Sequence, residues 1–188
     1  MVKLSVKNLD YMIEIKTGDV PCCVYVSDVK DHFNIKQQFL NFLKNNPLFG
    51  YKNKQVESLY NSDFYIKSEY KDETYYDLVN PIFKQHNESL SKLLDYKHEN
   101  ISIANIWYQQ YAKNDFHDWH RHSKSVFNSI YYVDLPAEAS KTTFRFLGKE
   151  FQVEVKEGQI LSFPSFFEHC SKPNLSDKIK TVIAYNST

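Results

Sequence analysis

Three of the seven histidines in this 188-residue chain crowd into one short stretch, Phe116-His117-Asp118-Trp119-His120-Arg121-His122, and a fourth, His169, follows the aromatic run Phe163-Pro164-Ser165-Phe166-Phe167. His120 and His122 stand at i and i+2. On a strand that spacing projects both imidazoles from one face. Two such rings make half of a metal site, and His169 is the obvious donor from a second strand. A site of two or three imidazoles with open positions suits Fe(II) or a related divalent ion. Thiolate zinc is disfavoured, because Cys22, Cys23 and Cys170 have no CxxC spacing. The common non-heme iron arrangement takes two His and one carboxylate, and here His122 stands where the carboxylate is expected. Asp118, two residues before His120, is the alternative carboxylate, with Asp115 also nearby. A surface histidine cluster on a polar hairpin is the competing reading. Of the other histidines, His32 reads as an exposed loop residue, His86 as a satisfied core or boundary residue on an apolar helical stripe, and His98 as exposed.

Composition narrows the classes of function. Lys+Arg and Asp+Glu both number 23 and the net charge is zero, so general binding to nucleic acid or another polyanion is not expected. Only Arg121 and Arg145 are arginines, and only Gly18, Gly50, Gly148 and Gly158 are glycines. Neither GxGxxG nor GxxxxGK[ST] can be written from them, which excludes the Gly-rich phosphate loops. Anionic ligands must then be met mostly by Lys, backbone N–H groups or hydroxyls. AT-rich coding accounts for the excess of Lys, Asn, Ile, Tyr and Phe over Arg and Gly. The odd, sparse cysteines argue for a reducing compartment. The first residues lack the apolar core of a signal peptide, and no run approaches membrane-spanning length. The expectation is a cytoplasmic protein without a membrane partner.

The elements that must hold the histidines follow from periodicity. One domain is expected over 1–188. Residues 1–100 supply strands and supporting helices, and 101–188 the core that carries the metal site. In the first part, 21–26 reads as a strand. Residues 35–45 read as a helix capped by the Asn34/Gln37 pair. A second helix is expected over about 80–95, with Asn80 as N-cap, Pro81 in the first turn and Ile82, Phe83, His86, Leu90, Leu93 and Leu94 as its buried face. After residue 100 the period becomes two, with strands at 101–111, 119–122, 127–133, 142–147, 150–155, 159–163, 167–171 and 179–186. Eight short strands behind two helices describe a mainly β protein with flanking N-terminal helices and a double-stranded β-helix (jelly-roll, cupin-like) core.

Five blocks taken together resemble the 2-oxoglutarate/Fe(II)-dependent oxygenases, in particular a prolyl 4-hydroxylase-like branch of bacteria and phages. They are Asn105-Ile106-Trp107, His120-Arg121-His122, Asn128-Ser129-Ile130-Tyr131-Tyr132, Gly158 through His169, and Lys180 through Asn186. The resemblance spans about residues 101–188. It implies an oxidoreductase, a dioxygenase using Fe(II), 2-oxoglutarate and O2, that couples decarboxylation of 2-oxoglutarate to C–H hydroxylation of a small-molecule, peptide or protein substrate. It also implies that His120, His122 and His169 hold the metal. Lys180, or Lys178 at the same strand parity, would anchor the distal carboxylate of 2-oxoglutarate, and Tyr111 and Tyr132 would hydrogen-bond the co-substrate. Asn128, Asn105 and Trp107 would line the pocket, and Val182, Ala184 and Asn186 would share the inward face of Lys180. Three departures stand out: Ser123 for the family's Pro, Asn128-Ser129 for Ser-Gly, and Lys180 for the closing Arg. A lysine offers a point charge where arginine offers a bidentate fork. Arg121, between the two histidines, is expected on the opposite face. The rival readings are a three-histidine cupin-type dioxygenase that does not use 2-oxoglutarate, although no Glu stands between Ser123 and Phe127, and a non-catalytic jelly-roll binding protein.

Overall fold

The computed structural model describes residues 2–7, 10–17, 20–47, 52–53, 57–94 and 101–188. His98 and the expected helix end at Asp95 fall outside the described residues. The second half folds into eight strands: β7 (Ile103–Tyr111), β8 (Phe116–His120), β9 (Phe127–Asp134), β10 (Thr142–Phe146), β11 (Lys149–Gln152), β12 (Gln159–Pro164), β13 (Glu168–Ser171) and β14 (Lys180–Ser187). Ahead of them come β1 (Val2–Lys7), β2 (Asp10–Thr17), β3 (Val20–Asp28), helix α1 (His32–Asn45), the short strands β4 (Lys52–Asn53), β5 (Glu57–Ser58) and β6 (Asn61–Ser62), and helix α2 (Tyr76–Leu93). All pairings are antiparallel. One sheet runs β1-β2-β3-β12-β9-β14-β7-β6 and the other β11-β10-β13-β8-β5-β4. Four of the eight late strands fall in each sheet, which is the expected double-stranded β-helix.

Alternation along the strands builds two cores. Tyr111, Tyr132, Phe144, Leu161, Phe163 and Val182 turn between the sheets. Their neighbours Tyr131, Val133, Ile160 and Ile183 turn outward, where Ile35, Phe39 and Leu43 of α1 and Val79 and Phe83 of α2 cover them. A half-buried alternating strand face and a helical stripe at i, i+4 spacing meet there, as expected for helices packed outside a sheet. His86 is fully enclosed, bonded through Nδ1 to the Ser27 hydroxyl and through Nε2 to Ser162. Burial holds its pKa down at about 3, so the ring is neutral. It is the satisfied core histidine that the stripe implies.

Several boundaries depart from the sequence reading. The N-terminal meander β1–β3 is longer than the expected strand over 21–26. The period-two sets Val2, Leu4, Val6 and Tyr11, Ile13, Ile15 carried its signal. Helix α2 begins at Tyr76, not at an Asn80 cap, and Pro81 lies inside it. An interior proline forfeits one helical bond at about 3 kcal/mol. Burial of Tyr75 and Val79 and the Tyr75–Asp63 hydrogen bond of 2.7 Å offset that cost. Leu93 is half exposed, while Asn87 and Ser91 take places on the buried face. Helix α1 starts three residues early. Asp31, in a left-handed conformation with no side-chain cap bond, precedes it, and Asn34 lies within it.

His32 is half-buried rather than exposed. Its Nδ1 meets the Tyr131 hydroxyl at 2.7 Å, and its Nε2 lies 3.3 Å from Glu157. This anchor sits against Gly158, whose φ is +86°. A Cβ built there would lie 3.0 Å from the His32 ring. Gly158→Ala is therefore expected to cost about 1–3 kcal/mol, from left-handed strain plus displacement of His32. Chemical denaturation checks this, and a loss below about 0.5 kcal/mol, the level of an ordinary surface change, would contradict it.

Candidate functional site

His120 ends β8 and His169 lies on β13, and the two are register partners across that ladder. Their ring centroids are 4.2 Å apart. His122 is not on the strand, so the i, i+2 strand argument does not describe its placement. It stands just past the end of β8, with its ring parallel to that of Trp107 at 5.8 Å. The ligand atoms of His120, His122 and His169 nonetheless all lie within 4.8 Å of one another.

Hydrogen bonding settles two tautomers. His120 Nδ1 is 2.8 Å from the Asp118 carbonyl oxygen, and His169 Nδ1 is 3.1 Å from that of Phe167. A carbonyl can only accept, so each Nδ1 carries the proton and each Nε2 keeps its lone pair free. This is the usual way a protein prepares an imidazole for a metal. Burial lowers the pKa of His120 and, more strongly, of His169, and takes His122 to about 4. The three rings are thus neutral donors at ordinary pH, a set that fits a borderline divalent ion such as Fe(II). Asp118 is exposed, and its carboxylate accepts the Trp119 N–H. Its contribution to the cluster is its main-chain carbonyl.

The histidines lie on the wall of a cavity of about 460 Å³ between the two sheets, within the range of small-molecule sites. Lys180, Tyr111, Tyr132, Asn128, Asn105, Trp107, Val182, Ala184 and Asn186 share that wall. Lys180 opens β14, which runs in mid-sheet between β9 and β7, so it is no strand-edge lysine. It is 2% exposed. Its ammonium donates to the Ser140 carbonyl at 3.0 Å and to the Ser171 hydroxyl at 2.6 Å, and it rests 4.2 Å from the Tyr111 ring centroid. Lys178 is exposed, in the bend ahead of the strand, and does not line the cavity. Tyr132 shares a hydrogen bond with Thr142, and Tyr111 donates to Gln109. Arg121, expected to point away, is exposed and borders the cavity.

His117 joins the cluster without having been assigned a role from the sequence. At three residues from His120 it should face the other way on a regular strand. Between His169 and Ser171 of β13, however, the ladder opposes His120 and then His117, three positions against two. This bulge turns both rings to one side, stacked at 3.9 Å. Bulges re-aim side chains in this manner, and nothing in Phe116–His122 announces one. Behind His117 lies buried Glu57, 3.5 Å from its Nε2, which accepts a hydrogen bond from Tyr65.

The chain has the jelly-roll fold of the 2-oxoglutarate/Fe(II) oxygenases. It is similar to a Pseudomonas putida prolyl-4-hydroxylase, with TM-score 0.60 and 10% identity over 87% of this chain and 91% of the other. A viral collagen prolyl hydroxylase from Paramecium Bursaria Chlorella virus-1, solved as a 2OG complex, matches with TM-score 0.61 and 10% identity, covering 87% and 94% of the two chains. The non-heme alpha ketoglutarate dependent epimerase SnoN from nogalamycin biosynthesis gives TM-score 0.65 at 10% identity over 87% and 77%. No family model and no curated protein matches the chain by sequence. No helix among the described residues is long and apolar enough to cross a membrane.

Burial takes the Lys180 pKa from 10.5 down to about 7. Between those values the unfolded chain holds a proton that the folded chain has released, so unfolding free energy rises with pH across the window. Below pH 7 both states are protonated and the full burial cost is felt. Lys180→Met should therefore raise the ligand-free protein's stability more at pH 6 than at pH 10. Denaturation curves at the two pH values check this, and an equal effect at both would contradict it.

Proposed function

We propose that the chain is a non-heme Fe(II)- and 2-oxoglutarate-dependent oxygenase that hydroxylates a C–H bond of its substrate. The observation that carries this reading is the pairing, in one cavity, of three neutral imidazoles, two of them held in the ligating tautomer, with a buried lysine and no competing carboxylate on the wall among the described residues. The likeness of fold to solved 2OG oxygenases supports it. His120, His122 and His169 would hold the metal through ring nitrogens. Lys180 would meet the distal carboxylate of 2-oxoglutarate, with Tyr111 and Tyr132 offering hydroxyls beside it and Asn128 a side-chain amide. Bound there, Fe(II) and 2-oxoglutarate supply the oxidising chemistry, with succinate and CO2 formed as one oxygen atom of O2 enters the substrate.

The protein's own contribution is geometric and electrostatic. The Asp118 and Phe167 carbonyls keep His120 and His169 in the ligating tautomer. Aromatic side chains, Phe163 and Tyr132 among them, line the wall, and such low-dielectric surroundings strengthen charge interactions beside them. Lys180 is held ready by two oxygen acceptors that it can share with a carboxylate. Because the three ligands are all neutral, 2-oxoglutarate would bring the only anionic donors to the metal, so metal and co-substrate should bind best together. The all-histidine donor set also keeps a second reading in view, a three-histidine cupin-type dioxygenase that needs no 2-oxoglutarate.

Anaerobic addition of Fe(II) and 2-oxoglutarate should give a visible charge-transfer band, and aerobic incubation should release succinate. His120→Ala and His169→Ala should abolish both. Lys180→Ala should leave metal binding intact but weaken 2-oxoglutarate binding by about 10²-fold, as expected for losing a buried charge-assisted contact. Wild-type protein that gives neither band nor succinate would overturn the proposal. Full activity of Lys180→Ala on a substrate would favour the cupin-type reading instead.

A further inference from the structure

The cavity is one-signed. Among the described residues its wall carries Arg121, Lys124 and Lys180 and no Asp or Glu, in a chain whose formal charge is zero. Cys170, also on the wall, stays protonated, its thiol pushed up to about 11 by burial. Lys180 lies deep, whereas Arg121 and Lys124 stand exposed at the mouth, and among the described residues neither has a carboxylate within ion-pair distance. The other arginine, Arg145, behaves differently. It lies over the Trp119 ring at 4.0 Å and pairs with Glu150 at 3.2 Å.

Two further features face the same space. Asn128 is 3% exposed, and its Oδ1 accepts the Ser125 hydroxyl at 2.8 Å, which leaves its Nδ2 buried with no acceptor. An orphaned buried donor is costly unless a ligand supplies the acceptor, and it marks the cavity as one built for an oxygen-bearing, acceptor-rich ligand. Phe64 and Tyr65 also line the cavity and are nearly half exposed, with Phe64 packed edge-on against Trp107 at 5.2 Å. Exposed aromatic faces and exposed cations on one cavity wall suit a ligand with an apolar or planar body and an anionic group.

Taken with the oxygenase reading, on which it rests, the charge count leaves an excess. Fe(II) and the 2-oxoglutarate dianion sum to zero, so the three cations of the wall stay in excess. Lys180 would have a local partner in the distal carboxylate, whereas Arg121 and Lys124 have none beside the place where a substrate must enter. We propose that the substrate is a small anionic molecule, bearing a carboxylate or phosphate, whose charged group docks on Arg121 and Lys124 while its apolar body lies against Phe64 and Tyr65. Clefts lined by charge of one sign concentrate counter-ions and steer their approach, so binding should weaken with added salt.

The test uses phenylacetate and phenyl phosphate as probes, with phenylacetamide as the neutral analogue. Each is titrated into the full chain, with and without saturating 2-oxoglutarate, and followed by ligand-observed NMR. The two anions should bind about tenfold or more tightly than the amide, with 2-oxoglutarate present. The Arg121→Ala/Lys124→Ala double variant should remove that preference and its salt dependence. The same variant should leave the anaerobic Fe(II)/2-oxoglutarate charge-transfer band unchanged, since neither residue touches the proposed metal or co-substrate groups. Equal binding of amide and anions, or an anion preference that survives the double substitution, would overturn the inference. A normal band alongside either result would leave the oxygenase reading standing. A missing band alongside a preference abolished by the double variant would overturn that reading and uphold the anion site.

Discussion

Burying an ammonium group costs several kcal/mol unless the surroundings answer it, and Lys180 is buried on an inner wall where no carboxylate answers it. It makes do with two neutral oxygens and the face of Tyr111. That is enough to hold the side chain in place and not enough to satisfy its charge. The sheet pays this destabilisation in mid-strand, at the opening of β14, where a valine or isoleucine would stabilise the fold more. The rest of the wall does not answer that charge. Burial keeps His120, His122 and His169 neutral and holds the Tyr111 hydroxyl protonated, and an acidic residue that would quench the lysine is absent from the wall among the described residues. On the proposed reading, 2-oxoglutarate would answer that charge with its distal carboxylate.

Much of this was legible in the sequence, for reasons that differ from part to part. The eight late strands announced themselves because each turns one face to the inter-sheet core and the other to the helices or solvent, a period of two that single residues such as Tyr131 and Tyr132 already show. His120 and His169 were recoverable from the crowding of histidines at Phe116–His122 and from the block Gly158 through His169, and the register then pairs them directly across β8 and β13. Lys180 was legible through the resemblance of the block Lys180 through Asn186; parity with Val182 and Ala184 admits Lys178 equally, and Lys178 fell away only when the strand was seen to start after it. The helix boundaries were less legible. Pro81 reads locally as a helix start, and only the burial of Tyr75 and Val79 against the sheet shows why the helix runs through it.

The rest was hidden because it depends on irregular backbone. His122 reaches the cluster from beyond the end of β8, stacked on Trp107, by a path that no strand periodicity describes. His117 reaches it through a one-residue bulge that reverses its facing. Asn128 was visible as a lining candidate, but its unpartnered amide nitrogen depends on the Ser125 hydroxyl taking its oxygen. Arg121 was expected to face away because strict alternation was extended past the strand end, where it no longer holds. For His122, His117 and Arg121 the departure from regular strand geometry brings a polar group to the cavity. Such deviations are commonly found at functional sites.

The central claim is that the three histidines and Lys180 form one site, joined by a co-substrate that touches both. It is tested most directly by equilibrium binding of Mn(II), an oxygen-tolerant stand-in for Fe(II), measured with and without 2-oxoglutarate. The account predicts that 2-oxoglutarate tightens Mn(II) binding by a factor of roughly 5–150, and that Mn(II) tightens 2-oxoglutarate binding by the same factor, because coupling between two ligands is reciprocal. It further predicts that Lys180→Ala greatly reduces this coupling without changing the affinity for Mn(II) alone. Mn(II) affinity that is indifferent to 2-oxoglutarate in the wild-type protein would contradict the account.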